Sequence, residues 1–206
     1  MSLYTKLFNF VLYTTSKYNI DESHGLSHSM NVLHRACDIY KSEVVKNPYL
    51  KDQESIIYSS AILHDMCDNK YMDVETGLNE INIILSSYFT EEKLNIIRTI
   101  INTMSYSKVK KQGFPSLGEY QLAYHIVREA DLLTAYDFDR CMIYHMSNNN
   151  SDVRKAYNNA EELFNNRVLR HYEDDLLITE YSQIQHITLS SSARIRMRNW
   201  KNILRI

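Results

Sequence analysis

The chain is almost free of helix breakers. Proline occurs twice, at Pro48 and Pro115, and glycine four times, at Gly25, Gly77, Gly113 and Gly118, in 206 residues. Tight turns, barrel corners and glycine-rich phosphate loops all need these residues, so their scarcity selects long helices over a sandwich, a barrel or a nucleotide-binding sheet. No G-x-G-x-x-G or G-x-x-x-x-G-K run is present. A hydrophobic content of 44% is enough to bury a full core. The expected fold class is therefore all-α, a single-domain helical bundle over residues 1–206, with a C-terminal helical extension from about residue 174.

Apolar periodicity divides the chain. Leu3, Leu7, Phe10, Val11 and Tyr18 mark a first amphipathic helix, which carries Lys6 and Lys17 and reads as part of the fold rather than as a signal peptide. After a break at Asp21 to Gly25, Ser27 is the expected N-cap of a second helix with Met30, Leu33, Cys37 and Tyr40 facing inward, ended by Asn47-Pro48. Asp52 to Leu63 is the third helix, followed by a polar turn to Met72. Val74 to Tyr88 and Thr90 to Met104 are the next two. Ser105 to Ser116 reads as the longest irregular stretch, Leu117 to Ala135 returns to helix, and Phe138 to Met146 continues it or begins another. Asn148 to Ser151 is an expected loop, Asp152 to His171 an amphipathic helix, and the remainder one long or broken helix with a basic end. No stretch is long and apolar enough to span a bilayer.

Composition removes several function classes. A net charge of -2 gives no general reason to bind a nucleic acid polymer or an anionic membrane. Cys37, Cys67 and Cys141 are isolated, which suggests free thiols in a reducing cytoplasm rather than a disulfide framework or a zinc finger.

One run stands out against this background. Tyr58 to Leu63 is the inward face of a helix, and it ends in His64-Asp65. A carboxylate delivered beside the core requires an ion pair, a raised pKa or a metal ion. An imidazole nitrogen next to a carboxylate oxygen suits a divalent ion of intermediate hardness. Further ligands must then come from elsewhere, and His24 and His28, four residues apart, open the second helix. Another carboxylate, Asp131, lies inside the apolar run Arg128 to Leu133.

Together these pieces resemble the HD-domain metal-dependent phosphohydrolases, and in particular their small bacterial-type subgroup. The resemblance is carried by H-x-x-x-H at His24 to His28, LHD-x-x-D-x-K-Y from Leu63 to Tyr71, SYS at Ser105 to Ser107 and AD-x-L at Ala130 to Leu133, and it covers roughly residues 20 to 175. It implies that His28, His64, Asp65 and Asp131 bind one divalent ion, with Mn, Mg, Fe, Co or Ni as candidates. It also implies phosphoester or phosphoanhydride hydrolysis on a nucleotide or related small phosphate ester, with nucleoside triphosphate pyrophosphohydrolase as the favoured activity. Asp68 is the candidate to orient or deprotonate the attacking water, and its competing role is to shape the turn. His24 is the candidate phosphate donor and leaving-group acid, and Lys70, Lys108 and Lys111 are candidate phosphate contacts. Glu129 reads as a paired structural carboxylate. Gly25 and Asn31 stand where the subgroup carries an aspartate and an arginine. These departures motivate the alternative of a metal-containing nucleotide-sensing module without turnover. The expected assembly is a monomer or homodimer, with the C-terminal helix as a candidate dimer surface.

Overall fold

The computed structural model describes residues 2–148 and 152–206. The described residues form ten α-helices and no strand: α1 (Leu3–Tyr18), α2 (Leu26–Lys46), α3 (Glu54–Leu63), α4 (Val74–Leu85), α5 (Glu91–Thr103), α6 (Tyr106–Gln112), α7 (Gln121–Thr134), α8 (Phe138–Asn148), α9 (Val153–Asn166) and α10 (Glu180–Leu204). Short 3-10 turns at Glu22–His24, Pro48–Gln53, Gly118–Tyr120 and Val168–Arg170 link them. Residues 149–151 of the expected loop lie outside the described residues; Asn148 itself closes α8.

Helix starts follow local capping chemistry. Asp73, Thr90, Asp152 and Thr179 each accept from the backbone N–H three residues on, satisfying donors that the first helical turn leaves open. The second helix departs from expectation. It begins at Leu26, with Gly25 as an N-cap that makes no side-chain bond, and Ser29 N donates to Gly25 O at 3.1 Å. Ser27 therefore lies inside the helix. The inward stripe is likewise rotated: His28, Val32, Ala36 and Ile39 are buried, whereas Met30 is exposed. Small residues decide the rotation, since Ser29 and Ala36 let α2 lie close against α3 and α7.

α3 is the central element. It packs against α1, α2, α5 and α7, and seven of its ten residues are buried, as expected of a helix that is apolar on most sides. α7 is more enclosed still, with eleven of its fourteen residues buried. One hydrophobic cluster runs from Leu7 on α1 to Met197 on α10, so the C-terminal extension contributes to the main core through Ala193 and Met197. The stretch 105–116 is not irregular throughout: Tyr106–Gln112 is α6, which buries Val109 against Leu132, Leu176 and Leu177. Gly77 on α4 sits so close to the turn after α3 that a Cβ there would lie 2.7 Å from Cys67 Cβ and 2.8 Å from its Cα. Absence of a side chain at Gly77 is what lets α4 clamp that turn. Burial pushes the thiols of Cys67 and Cys141 up to about 12, and all three cysteines are free. No described helix is long and apolar enough to cross a membrane.

Candidate metal centre

His64 and Asp65 leave α3 at its C-terminal end, where the helix dipole disfavours a carboxylate and a positive charge is needed. Three helices supply what surrounds that carboxylate. His28 Nε2 from α2 lies 3.0 Å from His64 Nε2, and each nitrogen is 3.2 Å from Asp65 Oδ2. Asp131 Oδ1 from α7 approaches the same two nitrogens at 3.5 and 3.7 Å. Ligands sharing one ion at bond lengths of about 2.1 Å are separated by roughly 3.0 to 3.4 Å, which the spacing of His28, His64 and Asp65 matches, with Asp131 a few tenths of an ångström wider. His28, His64 and Asp65 form a group able to hold a metal ion.

Two details favour a cation over a simple ion pair. His64 Nδ1 lies 2.9 Å from Ala61 O, and because a carbonyl only accepts, Nδ1 carries the proton. Nε2 is thereby turned to the cluster as a lone-pair donor, the arrangement typical of metal-bound histidine. Asp65 Oδ2, in turn, is buried and meets only the two imidazole nitrogens, His28 Nε2 and His64 Nε2, each at 3.2 Å. A charged oxygen in that position is costly unless a cation meets it. In the metal-free protein a proton fills that role. Burial works against charge on His64, but Asp65 and then Asp131 outweigh it and raise its pKa to about 9. The imidazoles overcome burial at Asp65 and Asp131 as well, holding both carboxyls well below their usual range.

The cluster opens into a cavity of about 190 Å³, lined among others by Asp68, Lys70, Asn102, Lys108 and Arg167. The position of Asp68 is compatible with both its candidate roles. Its Oδ1 accepts from Lys70 N at 2.9 Å, fixing the turn, while the residue borders the cavity beside Asp65. Lys70 Nζ is 3.5 Å from Asp68 Oδ2. Lys108 reaches back from α6 to donate to Asn102 O at 2.5 Å and Asn102 Oδ1 at 2.8 Å. Lys111 is exposed on α6 and lines no part of this cavity.

His24 stands outside the tight group, with its ring centroid 6.0 Å from that of His28. Ser23 Oγ and Tyr71 OH both give their protons to Asp21, so His24 Nδ1, 2.8 Å from Ser23 Oγ, must itself donate. Nε2 is left to face outward from that network. Histidines outside the cluster divide between core and surface. His171 is fully buried and burial pushes its pKa down to about 3, whereas His34 is exposed.

Sequence reasoning missed Arg167 and Arg140. Arg167 follows α9 in a stretch with no motif, stacks on the Tyr106 ring at 4.2 Å, and its guanidinium makes no hydrogen bond or ion pair among the described residues. Arg140 on α8 donates from Nη1 to Ser23 O at 2.8 Å. Only the fold brings these two guanidinium groups near the His–Asp pair, and no spacing signal foretold them.

No family model matches the chain, and no curated protein matches it. Among solved structures, a crystal structure of a protein from Lactobacillus plantarum is similar, with a TM-score of 0.70 over 98% of this chain and 96% of that one, at 17% identity. At that identity the likeness speaks for the fold alone.

Proposed function

We propose that this protein is a metal-dependent phosphohydrolase of the HD-domain type, acting on a nucleotide or related small phosphate ester in the manner of a nucleoside triphosphate pyrophosphohydrolase. The observation that carries the reading is the convergence of two imidazole nitrogens and two carboxylate oxygens, 3.0 to 3.7 Å between imidazole and neighbour, at the floor of a cavity whose walls carry lysines and an arginine. His28, His64, Asp65 and Asp131 would hold one divalent ion. Mixed nitrogen and oxygen donors that leave positions open suit Mn, Mg, Fe, Co or Ni better than a closed structural zinc site. A bound ion of this kind supplies a Lewis acid for a phosphoryl oxygen and activates water near neutral pH.

The chain's own groups supply the rest. Asp68 borders the cavity beside the cluster and accepts the proton of the attacking water. As the new oxygen–phosphorus bond forms and the bond to the leaving oxygen breaks, His24 returns a proton to the leaving group. Lys70 and Lys108 hold non-bridging phosphate oxygens as point charges. The loss of solvent from the narrow cavity strengthens each of these interactions.

The test is release of phosphate and of pyrophosphate from a panel of nucleotides by metal-stripped protein supplied with Mn, Mg, Co or Ni, beside an Asp65→Ala control. Metal-dependent release that disappears in the control is the expected result. Absence of release from protein that still binds an ion would replace this reading with the nucleotide-sensing module.

A further inference from the structure

Beyond the cavity beside the His–Asp cluster lies a second chamber of about 270 Å³. Lys70 and Arg167 line both, so the two spaces meet across these side chains. Their walls differ in charge. The first cavity carries Asp65, Asp68 and Asp131, whereas the second carries Lys70, Arg140 and Arg167 and no carboxylate. Asp131 and Asp137 lie behind Arg167 and Cys141 without lining the chamber, and two further carboxylates close by are already engaged. Asp21 accepts from Ser23 and Tyr71, and Asp68 accepts from Lys70 N.

We infer that the second chamber is an anion subsite, taking a phosphate group of the substrate other than the one attacked at the His–Asp cluster. This rests on the phosphohydrolase reading and deepens it to substrates with at least two linked phosphates. Arg167 has the means: its flat guanidinium is held by stacking on Tyr106 and retains its donors for a ligand. Arg140 is anchored through one nitrogen on Ser23 O, which fixes the group while leaving other N–H donors free. Lys70 sits over the Tyr144 ring at 5.4 Å, placing its ammonium at the passage between the chambers. His24 also lines the second chamber, so a leaving phosphate there meets the imidazole assigned to protonate it. The chamber also has an apolar side, with Tyr144, Leu163, Phe164 and Val168, so an organic ring is the competing occupant; the three cations favour an anion because burying them without one is costly.

The probe is inorganic diphosphate titrated calorimetrically into chelator-treated protein, which separates this inference from any hydrolysis. Wild type and Asp65→Ala are expected to bind it alike. Arg167→Gln and, as a variant at an exposed side chain, Lys70→Ala are each expected to weaken binding about tenfold, the loss of one charge-assisted hydrogen bond. Lys111→Ala is expected to bind as wild type does. Diphosphate affinity unaffected by both Arg167→Gln and Lys70→Ala would overturn the assignment. So would binding of uncharged adenosine, abolished by Tyr144→Ala, in protein that ignores diphosphate. Failure of nucleotide hydrolysis with the diphosphate result intact would instead refute the enzymatic reading and leave an anion-binding chamber.

Discussion

α7 carries two carboxylates two residues apart, and the structure treats them in opposite ways. Glu129 has no exposed surface, and every lone pair that matters is met. It accepts from Arg128 Nη2 at 3.2 Å, Ile178 N at 2.8 Å, Thr179 N at 3.1 Å and Thr179 Oγ1 at 2.6 Å. Asp131, about 200° around the helix from it, is approached by the imidazole nitrogens of His28 and His64 instead. Its companion Asp65 has one buried oxygen that meets only the same two imidazole nitrogens. Glu129 ties α7 to the start of α10, whereas Asp131 faces α2 and α3. Burial of a carboxylate is therefore no mark of function by itself. At these two positions the partners differ: guanidinium, hydroxyl and backbone N–H donors fix Glu129, whereas Asp131 converges with Asp65 on two imidazole nitrogens.

The contrast predicts unequal responses to mutation. Glu129→Ala leaves Arg128 buried without its countercharge and frees the start of α10, and it should destabilise the fold by about 3–5 kcal/mol in urea unfolding. Asp65→Ala should cost the metal-free protein only its pairing with protonated His64, a smaller loss that fades as pH rises through about 9. Its main effect appears with metal: Mn²⁺ at a hundred times its dissociation constant should stabilise wild type by about 2.7 kcal/mol and the variant not at all. Equal losses of metal-free stability in the two variants would erase the proposed distinction.

Dependence on pH sharpens the comparison further. His64 has its folded-state pKa raised to about 9, from an ordinary value near 6.5. A raised value means that the proton stabilises the folded chain fully below pH ~6.5, and that this contribution fades as pH climbs through about 9. Metal-free protein should therefore lose thermal stability across that window. Over the same window metal should bind more tightly, because it no longer competes with that proton. Asp65→Ala should flatten both trends in thermal melts recorded with chelator and with Mn²⁺. The smallest effect concerns the clamp on the turn. Gly77→Ala drives a methyl group into the Cys67 backbone, and about 1–3 kcal/mol of destabilisation is expected in the same unfolding experiment.

Much of this was legible in the sequence because it depended on local chemistry. Scarce glycine and proline announced an all-helical chain, and Thr90, Asp152 and the Asn47-Pro48 pair marked helix limits near where they occur. His64-Asp65 was conspicuous because charge follows an apolar run, and the order of His28, His64, Asp65 and Asp131 along the chain pointed to one cluster. Other features depended on packing. The inward face of α2 was misjudged in part: Tyr40 is buried and Leu33 packs against the core as expected, but Met30 is exposed while the less apolar Ser29 and Ala36 are buried. α6 was hidden by three lysines and a bounding Gly113. Lys111 resembled Lys108 in sequence, but only Lys108 turns back to the Asn102 end of α5. Arg140 and Arg167 had no local signature at all, since their significance comes from which helices meet.

The most direct measurement is a titration of Mn²⁺ into chelator-stripped protein at pH 8, followed by calorimetry or by the loss of the free-ion electron spin resonance signal. The account predicts one ion bound per chain in wild type and in Glu129→Gln, and none in Asp65→Ala or Asp131→Ala. Wild-type protein that binds no ion, or an Asp65→Ala protein that binds one as tightly as wild type, would contradict it.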